Sequence, residues 1–538
     1  MIFPGASATH CLLNSHLRHC ARRLFSASSS WSRSTGKKRK AVESKDKWNY
    51  NANPFDGTVT EDHRLLPFVD ANKLEMETKP PVGVKMLVRD FIEDSLYNPN
   101  YGYFPKQATI FNANDTPFDF TKLRDSAEFQ EEVGSKYADY GADDYNGPGR
   151  QLWHTPTELF KPWYGRAVGR CLVSEYLLKY FPYEDFVIYE IGAGNGTLAL
   201  DILNLIREEY PEVYERTRYN IIEISESLVK LQKKKLKQAH PCVNVTHTSI
   251  FHWKQTEPAP CFFIAMEVID NFAHDLVRYD LDTLKPYQGL VTIDKNGDFD
   301  IIYTPVTDPL IISFLNLRPI LKHSPPIRNL LVKSPNLRRL YRSLPFAPNL
   351  SATEFIPTRL LNLLRTLRNY FPRHRLLLSD FSSLPDTIPG INAPVVQTRF
   401  QNITVPCSTL LVKQGYFDIF FPTDFERLRD MYEFTLAQPP SNSAISVEEV
   451  SSARITPLTS TASSFSLGSQ YFSSYQPTSR RKPLDGVASA SGLPVGERKS
   501  SVFSHSQFLE TYAELDKTRL RNGENPMLDF YKNVKFLF

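Results

Sequence analysis

One stretch, FVIYEIGAGNGTLALDIL from Phe186 to Leu203, constrains the fold of this chain more than any other. A β-branched apolar run ends at Glu190, glycines alternate at Gly192, Gly194 and Gly196, and a helical pattern follows. Such glycines permit positive φ and let a ligand lie against the main chain, while the N–H groups of the next helix point at that ligand. The pattern predicts a strand, a loop and a helix that bind a nucleotide-like cofactor. Glycine-rich loops also serve as plain turns, so neighbouring features must decide.

The spacing and the next acidic residue narrow the kind of cofactor. A dinucleotide fingerprint would place its third glycine where Thr197 stands, whereas E-x-G-x-G-x-G resembles the first motif of class I S-adenosylmethionine-dependent methyltransferases. A short apolar strand over 219–224 then contains Glu223, about 27 residues beyond the loop. A carboxylate at the end of a second strand can accept hydrogen bonds from both ribose hydroxyls. We expect Glu223 to bind the ribose of the cofactor.

Apolar runs alternate with helical patterns through the centre of the chain. Further strands are expected at 243–250, 261–268 and 375–381, and the alternation predicts an α/β fold with a doubly wound, mostly parallel sheet. Glu267 and Asp270 follow the fourth strand, where open α/β sheets place their chemistry. They are candidate catalytic carboxylates, and the alternative is that they cap the following helix.

The first forty residues have the composition of a mitochondrial transit peptide. They are rich in arginine and serine, and no acid precedes Glu43. A disordered basic tail, or a nuclear signal at 37–40, are the alternatives. The 63 basic and 59 acidic residues of the chain leave a net charge of about −4 without this leader, which does not suggest a nucleic-acid partner. No apolar run approaches the ~20 residues of a membrane span, and the six scattered cysteines predict no metal site.

The remaining patterns divide the chain into segments. We expect a transit peptide (1–40), a flexible lead-in (41–80), an N-terminal helical and loop extension (81–185), a cofactor-binding core (186–275), a mixed α/β insertion between strands four and five (276–370), the completion of the core sheet (371–437), a disordered Ser- and Pro-rich insertion (438–503) and a C-terminal closing segment (504–538). Within these, 309–368 reads as helical, 409–421 as a β pair around Gly415, and the lysines of 225–238 as a solvated helix face.

Several ordered motifs together resemble the MidA-type methyltransferase family. They are N-P-x-x-G-Y-F (98–104), T-x-x-E (155–158), E-x-G-x-G-x-G-T (190–197), I-E-x-S (222–225), E-x-x-D (267–270) and a strand that ends at Asp380. Mitochondrial members of that family include the protein arginine methyltransferase that assists assembly of respiratory complex I. The resemblance implies a matrix enzyme that transfers methyl groups from S-adenosyl-L-methionine to arginine as symmetric dimethylarginine, on a protein substrate such as a complex I subunit.

The resemblance also implies roles for single residues. Glu190, Gly192, Gly194 and Gly196 would line the cofactor, and the acids of the 267–270 loop would orient a cationic guanidinium and hold charge as its proton leaves. The glycine loop departs from the usual G-P-G-R-G of the family at residues 193 and 195. A catalytically silent assembly protein and a small-molecule methyltransferase are therefore the alternative functions.

Overall fold

The computed structural model describes residues 63, 65–106, 108–110, 117–140, 151–153, 155–344, 347–400, 403–438 and 500–538. The predicted transit peptide and residues 439–499 of the predicted serine-rich insertion lie outside this part of the chain. Within it, no helix is long and apolar enough to cross a membrane.

The elements follow one another as a mixture of short strands and helices. The described strands are β1 (Val84–Leu87), β2 (Ala108–Ile110), β3 (Gln151–Trp153), β4 (Phe186–Ile191), β5 (Thr217–Glu223), β6 (Val243–His247), β7 (Cys261–Met266), β8 (Asp275–Tyr279), β9 (Pro286–Ile293), β10 (Phe299–Pro305), β11 (Glu354–Ile356), β12 (His374–Phe381), β13 (Val395–Phe400), β14 (Ile403–Cys407), β15 (Asp418–Phe420), β16 (Val502–Ser504) and β17 (Val534–Leu537).

The described α-helices are α1 (Ala71–Leu74), α2 (Val88–Tyr97), α3 (Tyr103–Lys106), α4 (Ser126–Tyr140), α5 (Pro156–Leu159), α6 (Trp163–Lys179), α7 (Thr197–Glu209), α8 (Pro211–Tyr214), α9 (Glu226–Ala239), α10 (Pro309–Leu321), α11 (Asn329–Lys333), α12 (Pro335–Arg342), α13 (Thr358–Tyr370), α14 (Phe425–Ala437), α15 (His505–Tyr512) and α16 (Pro526–Asp529). Helix α1 lies within the lead-in predicted at 41–80.

The central sheet has the strand order β6-β5-β4-β7-β12-β17-β16. Neighbours from β6 to β12 pair in parallel, and β17 pairs antiparallel with both β12 and β16. Phe186 and Ile188 of β4 pack into one apolar cluster with α6, α7 and α15, whereas Val187 and Tyr189 pack into another with α10, α13 and α14. Because β4 is covered on both faces, its sequence is nearly continuously apolar. The expected α/β class is confirmed, with a sheet of mixed direction.

A second, antiparallel sheet lies between β7 and β12 in the sequence. Its strands β8, β9, β10 and β11 come from the insertion, and β1 joins it from the N-terminal extension by pairing with β9. The buried guanidinium of Arg89 in α2 binds Asp275 Oδ2 at 2.5 Å and Asp308 Oδ2 at 2.9 Å. The extension and the insertion therefore share one sheet and one buried ion cluster.

The β pair predicted at Thr409–Phe421 is wrong. Only β15 within it is a strand, and its partner is β13 rather than a neighbouring hairpin arm. Gly415 has φ +81°, and a Cβ there would lie 1.8 Å from the carbonyl oxygen of Tyr101. This glycine lets its segment approach the N-terminal extension closely. In the sequence, a glycine required for such a long-range contact cannot be distinguished from a glycine required for a turn. The helical expectation for 309–368 likewise missed β11, which pairs with β8.

Candidate cofactor and catalytic site

The glycine loop joins β4 to α7 in a left-handed backbone conformation. Gly192, Gly194 and Gly196 have φ of +67°, +53° and +72°, a region that side chains other than that of glycine rarely adopt. A Cβ on Gly192 would also lie 2.8 Å from Cγ2 of Val268, in the loop that follows β7. The alternating glycines therefore bring the main chain of the first strand against the loop of the fourth.

Glu158 fixes the far side of the glycine loop. Its buried Oε1 accepts hydrogen bonds from Thr197 Oγ1 at 2.7 Å and from Asn195 Nδ2 at 3.2 Å. Thr155 caps α5 by accepting a hydrogen bond from the backbone N–H of Glu158. The T-x-x-E phrase thus positions a carboxylate that anchors the loop, and Asn195 takes part in that anchor.

Two residues of α9 hold the loop from the other side. Gln232 Nε2 donates to the carbonyl oxygen of Gly194 at 2.8 Å and to Glu223 Oε2 at 3.0 Å. Lys235 Nζ donates to the Asn195 carbonyl oxygen at 3.3 Å. Lys235 therefore departs from the expected solvated lysine face. Positions 229, 232 and 236 lie on the buried side of α9, and Gln232 is polar whereas the other two residues are apolar. That exception in the apolar pattern is the sequence signal that could have identified Gln232.

Glu223 lies at the end of β5, buried except for the side that faces a cavity. Its Oε1 accepts hydrogen bonds from the backbone N–H groups of Ile224 at 2.9 Å and Ser225 at 3.0 Å. Burial raises the pKa of Glu223, although these hydrogen bonds and the one from Gln232 oppose the shift. Among the described residues, Oε1 thus accepts two hydrogen bonds, whereas Oε2 accepts only the one from Gln232, so Glu223 can still accept a hydrogen bond from a ligand through Oε2.

The cavity beside Glu223 has a volume of about 580 Å³, within the range of small-molecule sites. Its wall includes residues 97–99, 191–192, 222–224, 247–252, 272–273 and position 268. Except for 97–99, which lie at the end of α2, these residues lie at or after the carboxyl ends of β4, β5, β6 and β7, where ligands of open α/β sheets bind. Of the predicted cofactor residues, Gly192 and Glu223 line the cavity, whereas Glu190, Gly194 and Gly196 are not part of its wall.

Glu190 is instead buried beneath the loop, between β4 and β5. Tyr219 Oη donates to its Oε2 at 2.8 Å. Burial raises the pKa of Glu190 to about 8. The hydrogen bond from Tyr219 opposes this rise in pKa, and the charge of Glu223 adds to it. Glu190 is therefore mostly protonated at neutral pH, and it supports the strand ends rather than contacting the cavity.

The N-terminal extension forms one side of the cavity wall. Asn98 Nδ2 donates to the Leu74 carbonyl oxygen at 2.8 Å and to Asp94 Oδ1 at 3.0 Å, and Tyr101 Oη donates to the same Asp94 oxygen at 2.7 Å. A Cβ on Gly102 would lie 2.5 Å from the backbone of Asn98. The N-P-x-x-G-Y-F phrase thus folds into a tight, internally bonded turn at the cavity wall.

The insertion contributes a cation to the same wall. Arg359 of α13 forms an ion pair with Glu93 of α2, and its guanidinium lies 5.1 Å from the ring centroid of Phe251. Phe251 follows β6 and belongs to none of the motifs described above. Since β6 is parallel to β5, the residues after β6 could have been expected at the same edge of the sheet.

Glu267 occupies a strained position immediately after β7. Its φ is +56°, in the region that favours glycine, and its backbone N–H donates to the Ser379 carbonyl oxygen at 2.8 Å. Its Oε1 is buried and has no hydrogen-bond partner among the described residues. Burial, together with the nearby charge of Asp270, raises the pKa of Glu267 well above its ordinary value. Such an atom is costly unless a ligand or water satisfies it.

Asp270 lies three residues further on and is engaged with its own loop. Its Oδ1 accepts from the backbone N–H of Asn271 at 2.9 Å, and burial raises its pKa to about 7. Asp380, at the end of β12, accepts through Oδ2 from the backbone N–H groups of Ile269 at 3.0 Å and Asp270 at 3.1 Å. Neither Glu267 nor Asp270 is part of the cavity wall, although Val268 between them is. Among the described residues, no group of three or more His, Cys, Asp or Glu side chains could hold a metal ion.

Comparison with known proteins identifies the family. A sequence profile for S-adenosyl-L-methionine-dependent methyltransferases matches residues 167–439, which run from α6 to the end of α14 and contain the glycine loop, Glu223 and the 267–270 loop. The chain belongs to this family. Its cofactor is S-adenosyl-L-methionine, and the MidA-type resemblance is confirmed. The cavity size, the exposed main chain of Gly192 and the remaining acceptor site on Glu223 Oε2 fit that cofactor.

Two fungal proteins are similar to this methyltransferase. One, from Schizosaccharomyces pombe, is named protein arginine methyltransferase NDUFAF7 homolog, mitochondrial; it is 26% identical over 337 residues, which is 58% of this chain and 67% of the relative. A Saccharomyces cerevisiae protein of the same name is 26% identical over 200 residues, 34% of this chain and 40% of its own length. A Burkholderia thailandensis crystal structure bound to S-adenosyl-homocysteine is 13% identical, with a TM-score of 0.40 over 68% of this chain and 74% of that one.

Proposed function

We propose that this methyltransferase is a mitochondrial protein arginine methyltransferase that forms symmetric dimethylarginine, with a role in respiratory complex I assembly. The names of the two fungal relatives support the arginine substrate and the mitochondrial location. The acid-poor leader supports import into the matrix. The parallel run from β6 to β12, followed by antiparallel β17, supports the assignment of the sheet to the class I methyltransferase fold.

The observation that carries the arginine proposal is the buried Oε1 of Glu267, which has no hydrogen-bond partner among the described residues. Glu267 lies next to Val268, which contacts Gly192 and lines the cofactor cavity. A guanidinium would supply the missing hydrogen-bond donors, and a cation would favour the ionised form of a carboxyl group whose pKa burial has raised. The ionised Glu267 would then orient the guanidinium and accept its proton as the nitrogen is methylated.

In this proposal, the other residues bind and align the cofactor. Glu223 accepts from the ribose hydroxyls, and the main chain of Gly192 lies against the cofactor, while Gly194, Gly196 and Glu190 maintain the loop. S-adenosyl-L-methionine supplies an electrophilic methyl group on a sulfonium. Asp270 stiffens the loop that presents Glu267, through its hydrogen bond from the N–H of Asn271 and its own N–H bond to Asp380.

Replacement of Glu267 by glutamine tests this role. The amide keeps the size of the side chain but cannot carry negative charge, so we expect methyl transfer to fall by about 100-fold or more, with cofactor affinity within a few-fold of wild type. Glu212, which is exposed on α8, provides the matched control because Glu212→Gln should leave both quantities unchanged. Transfer by Glu267→Gln at the wild-type rate would contradict the assignment.

The substrate class is tested by transfer of a labelled methyl group to mitochondrial extract. A labelled protein band that contains dimethylarginine supports the proposal. Label in the lipid or small-molecule fraction would instead identify a small-molecule methyltransferase. Cofactor binding without any transfer would favour the alternative of a catalytically silent assembly protein.

A further inference from the structure

Helix α12 presents its apolar side to solvent. None of its residues is buried. Leu337 and Leu340 are spaced by three residues, which places them on one side of the helix, and Leu344 follows two residues after the helix ends. The three side chains are 40%, 61% and 51% exposed. Leu330 of the preceding α11 is 71% exposed. Four leucines therefore project outward from one short part of the insertion.

The arginines of α12 explain this orientation. Arg338 Nε donates to the carbonyl oxygen of Asp282 at 2.9 Å, and Arg342 Nη1 pairs with Asp282 Oδ2 at 2.7 Å. These polar contacts attach the basic side of the helix to the turn after β8. An amphipathic helix of a soluble domain usually turns its apolar side toward the core. The opposite orientation in α12 therefore indicates an interaction surface for a partner.

The charge of the surrounding segment is uniformly positive. No aspartate or glutamate occurs from residue 309 to residue 353, although the chain contains 59 acidic residues. Basic residues in that segment are Arg318, Lys322, Arg328, Lys333, Arg338, Arg339 and Arg342. Arg328, Lys333 and Arg339 are exposed and lie within three residues of these leucines in the sequence. The partner of this surface should therefore be anionic as well as able to accept apolar side chains.

We propose that this basic leucine surface (Leu330, Leu337, Leu340 and Leu344 with Arg328, Lys333 and Arg339) docks the protein on an anionic lipid bilayer. Lysine and arginine interact with lipid phosphates while leucines enter the acyl boundary, as in interfacial amphipathic helices. The four leucines are not part of the wall of the cavity at α12, which is about 170 Å³ and is bounded by residues such as Arg338 and Arg342. A fluid bilayer accepts protruding side chains at several heights, whereas a protein partner needs a matching groove.

Flotation of the full chain with vesicles tests the proposal. We expect binding to vesicles of phosphatidylcholine and phosphatidylglycerol in equal amounts, little binding to pure phosphatidylcholine, and weaker binding as salt rises. The combined Leu330→Ser and Leu340→Ser variant should reduce the partition coefficient by about tenfold. The matched control is Leu65→Ser with Leu178→Ser, because these leucines are 81% and 78% exposed elsewhere; it should bind as wild type does.

A second pair of variants separates charge at this surface from net charge. Arg328→Gln, Lys333→Gln and Arg339→Gln together should weaken binding by about 100-fold, since each cation contributes roughly fivefold. Lys233→Gln, Lys234→Gln and Lys237→Gln remove the same charge from an exposed side of α9 and should have little effect. The proposal is overturned if the wild-type chain does not bind anionic vesicles, or if both triple variants lose binding equally. Leucine-dependent binding to polyglutamate without vesicle binding would overturn it in favour of an acidic protein partner.

Discussion

Alanine in place of Glu223 should weaken binding of S-adenosyl-L-methionine more than it weakens the fold. The carboxylate sits at the cavity wall, and its protein partners are two backbone N–H groups on Oε1 and Gln232 on Oε2. Alanine removes the acceptor site that remains on Oε2 for the ribose hydroxyls. Because the position borders a cavity, water can replace part of the lost contact with the protein groups.

The expected magnitude follows from these contacts. A hydrogen bond to a charged group contributes about 1.5–3 kcal/mol, and one acceptor site remains on Oε2 for the ribose. A loss of about 2 kcal/mol corresponds to roughly 30-fold weaker binding. The protein groups left without their carboxylate acceptor should lower the free energy of unfolding by about 1–2 kcal/mol.

Isothermal titration of the full chain measures the affinity, and urea denaturation measures the stability. Glu226→Ala is the matched control, because Glu226 is exposed at the start of α9 and pairs only with Lys230 among the described ion pairs. Its affinity should equal that of wild type. A Glu223→Ala protein that stays folded and binds the cofactor within about threefold of wild type would refute the ribose assignment.

Three further substitutions test the support of the loop. Glu158→Ala removes the acceptor of Thr197 Oγ1 and should lower the free energy of unfolding by about 2–3 kcal/mol in urea; a change below about 0.5 kcal/mol contradicts the anchor. Glu190 has a pKa raised to about 8 from 4.5, so its contribution to stability is full below pH 4.5 and is lost as pH rises through 8. Glu190→Gln should therefore gain stability over wild type between pH 4.5 and 8, and a gain toward low pH would contradict the sign. Gly192→Ala adds a Cβ 2.8 Å from Val268 at positive φ, and titration should detect weaker cofactor binding, whereas unchanged affinity would contradict the close approach.

Local patterns were sufficient for part of the candidate site. The run before Glu190 and the alternating glycines predicted β4, the loop and α7. Glu223, which we expected to bind the ribose from the end of the next strand, lines the cavity. These features are local because strand, loop and helix follow one another in the chain. Parallel strands then bring their carboxyl ends to one edge, so Gly192 and Glu223 meet without further information.

Contacts between distant segments could not be inferred in the same way. Strand β11 has only three residues within a helical region, and its partner β8 lies far earlier in the chain. Gly415 read as a turn because a glycine required for close approach to Tyr101 has the same sequence signal as a hairpin glycine. The anchoring role of Glu158 was likewise hidden, since its partner Thr197 lies 39 residues away. Periodicity reports burial on one element and does not identify which element covers it.

The buried Arg89 has a consequence for the order in which the chain can fold. Its partners Asp275 and Asp308 follow it by 186 and 219 residues. A buried cation without its carboxylates is strongly unfavourable, so α2 cannot settle into its native environment until the insertion has formed around the two aspartates. Closing loops of this length is slow compared with local helix formation. The N-terminal extension and the insertion should therefore acquire their structure in one late step, and neither should fold as an isolated fragment.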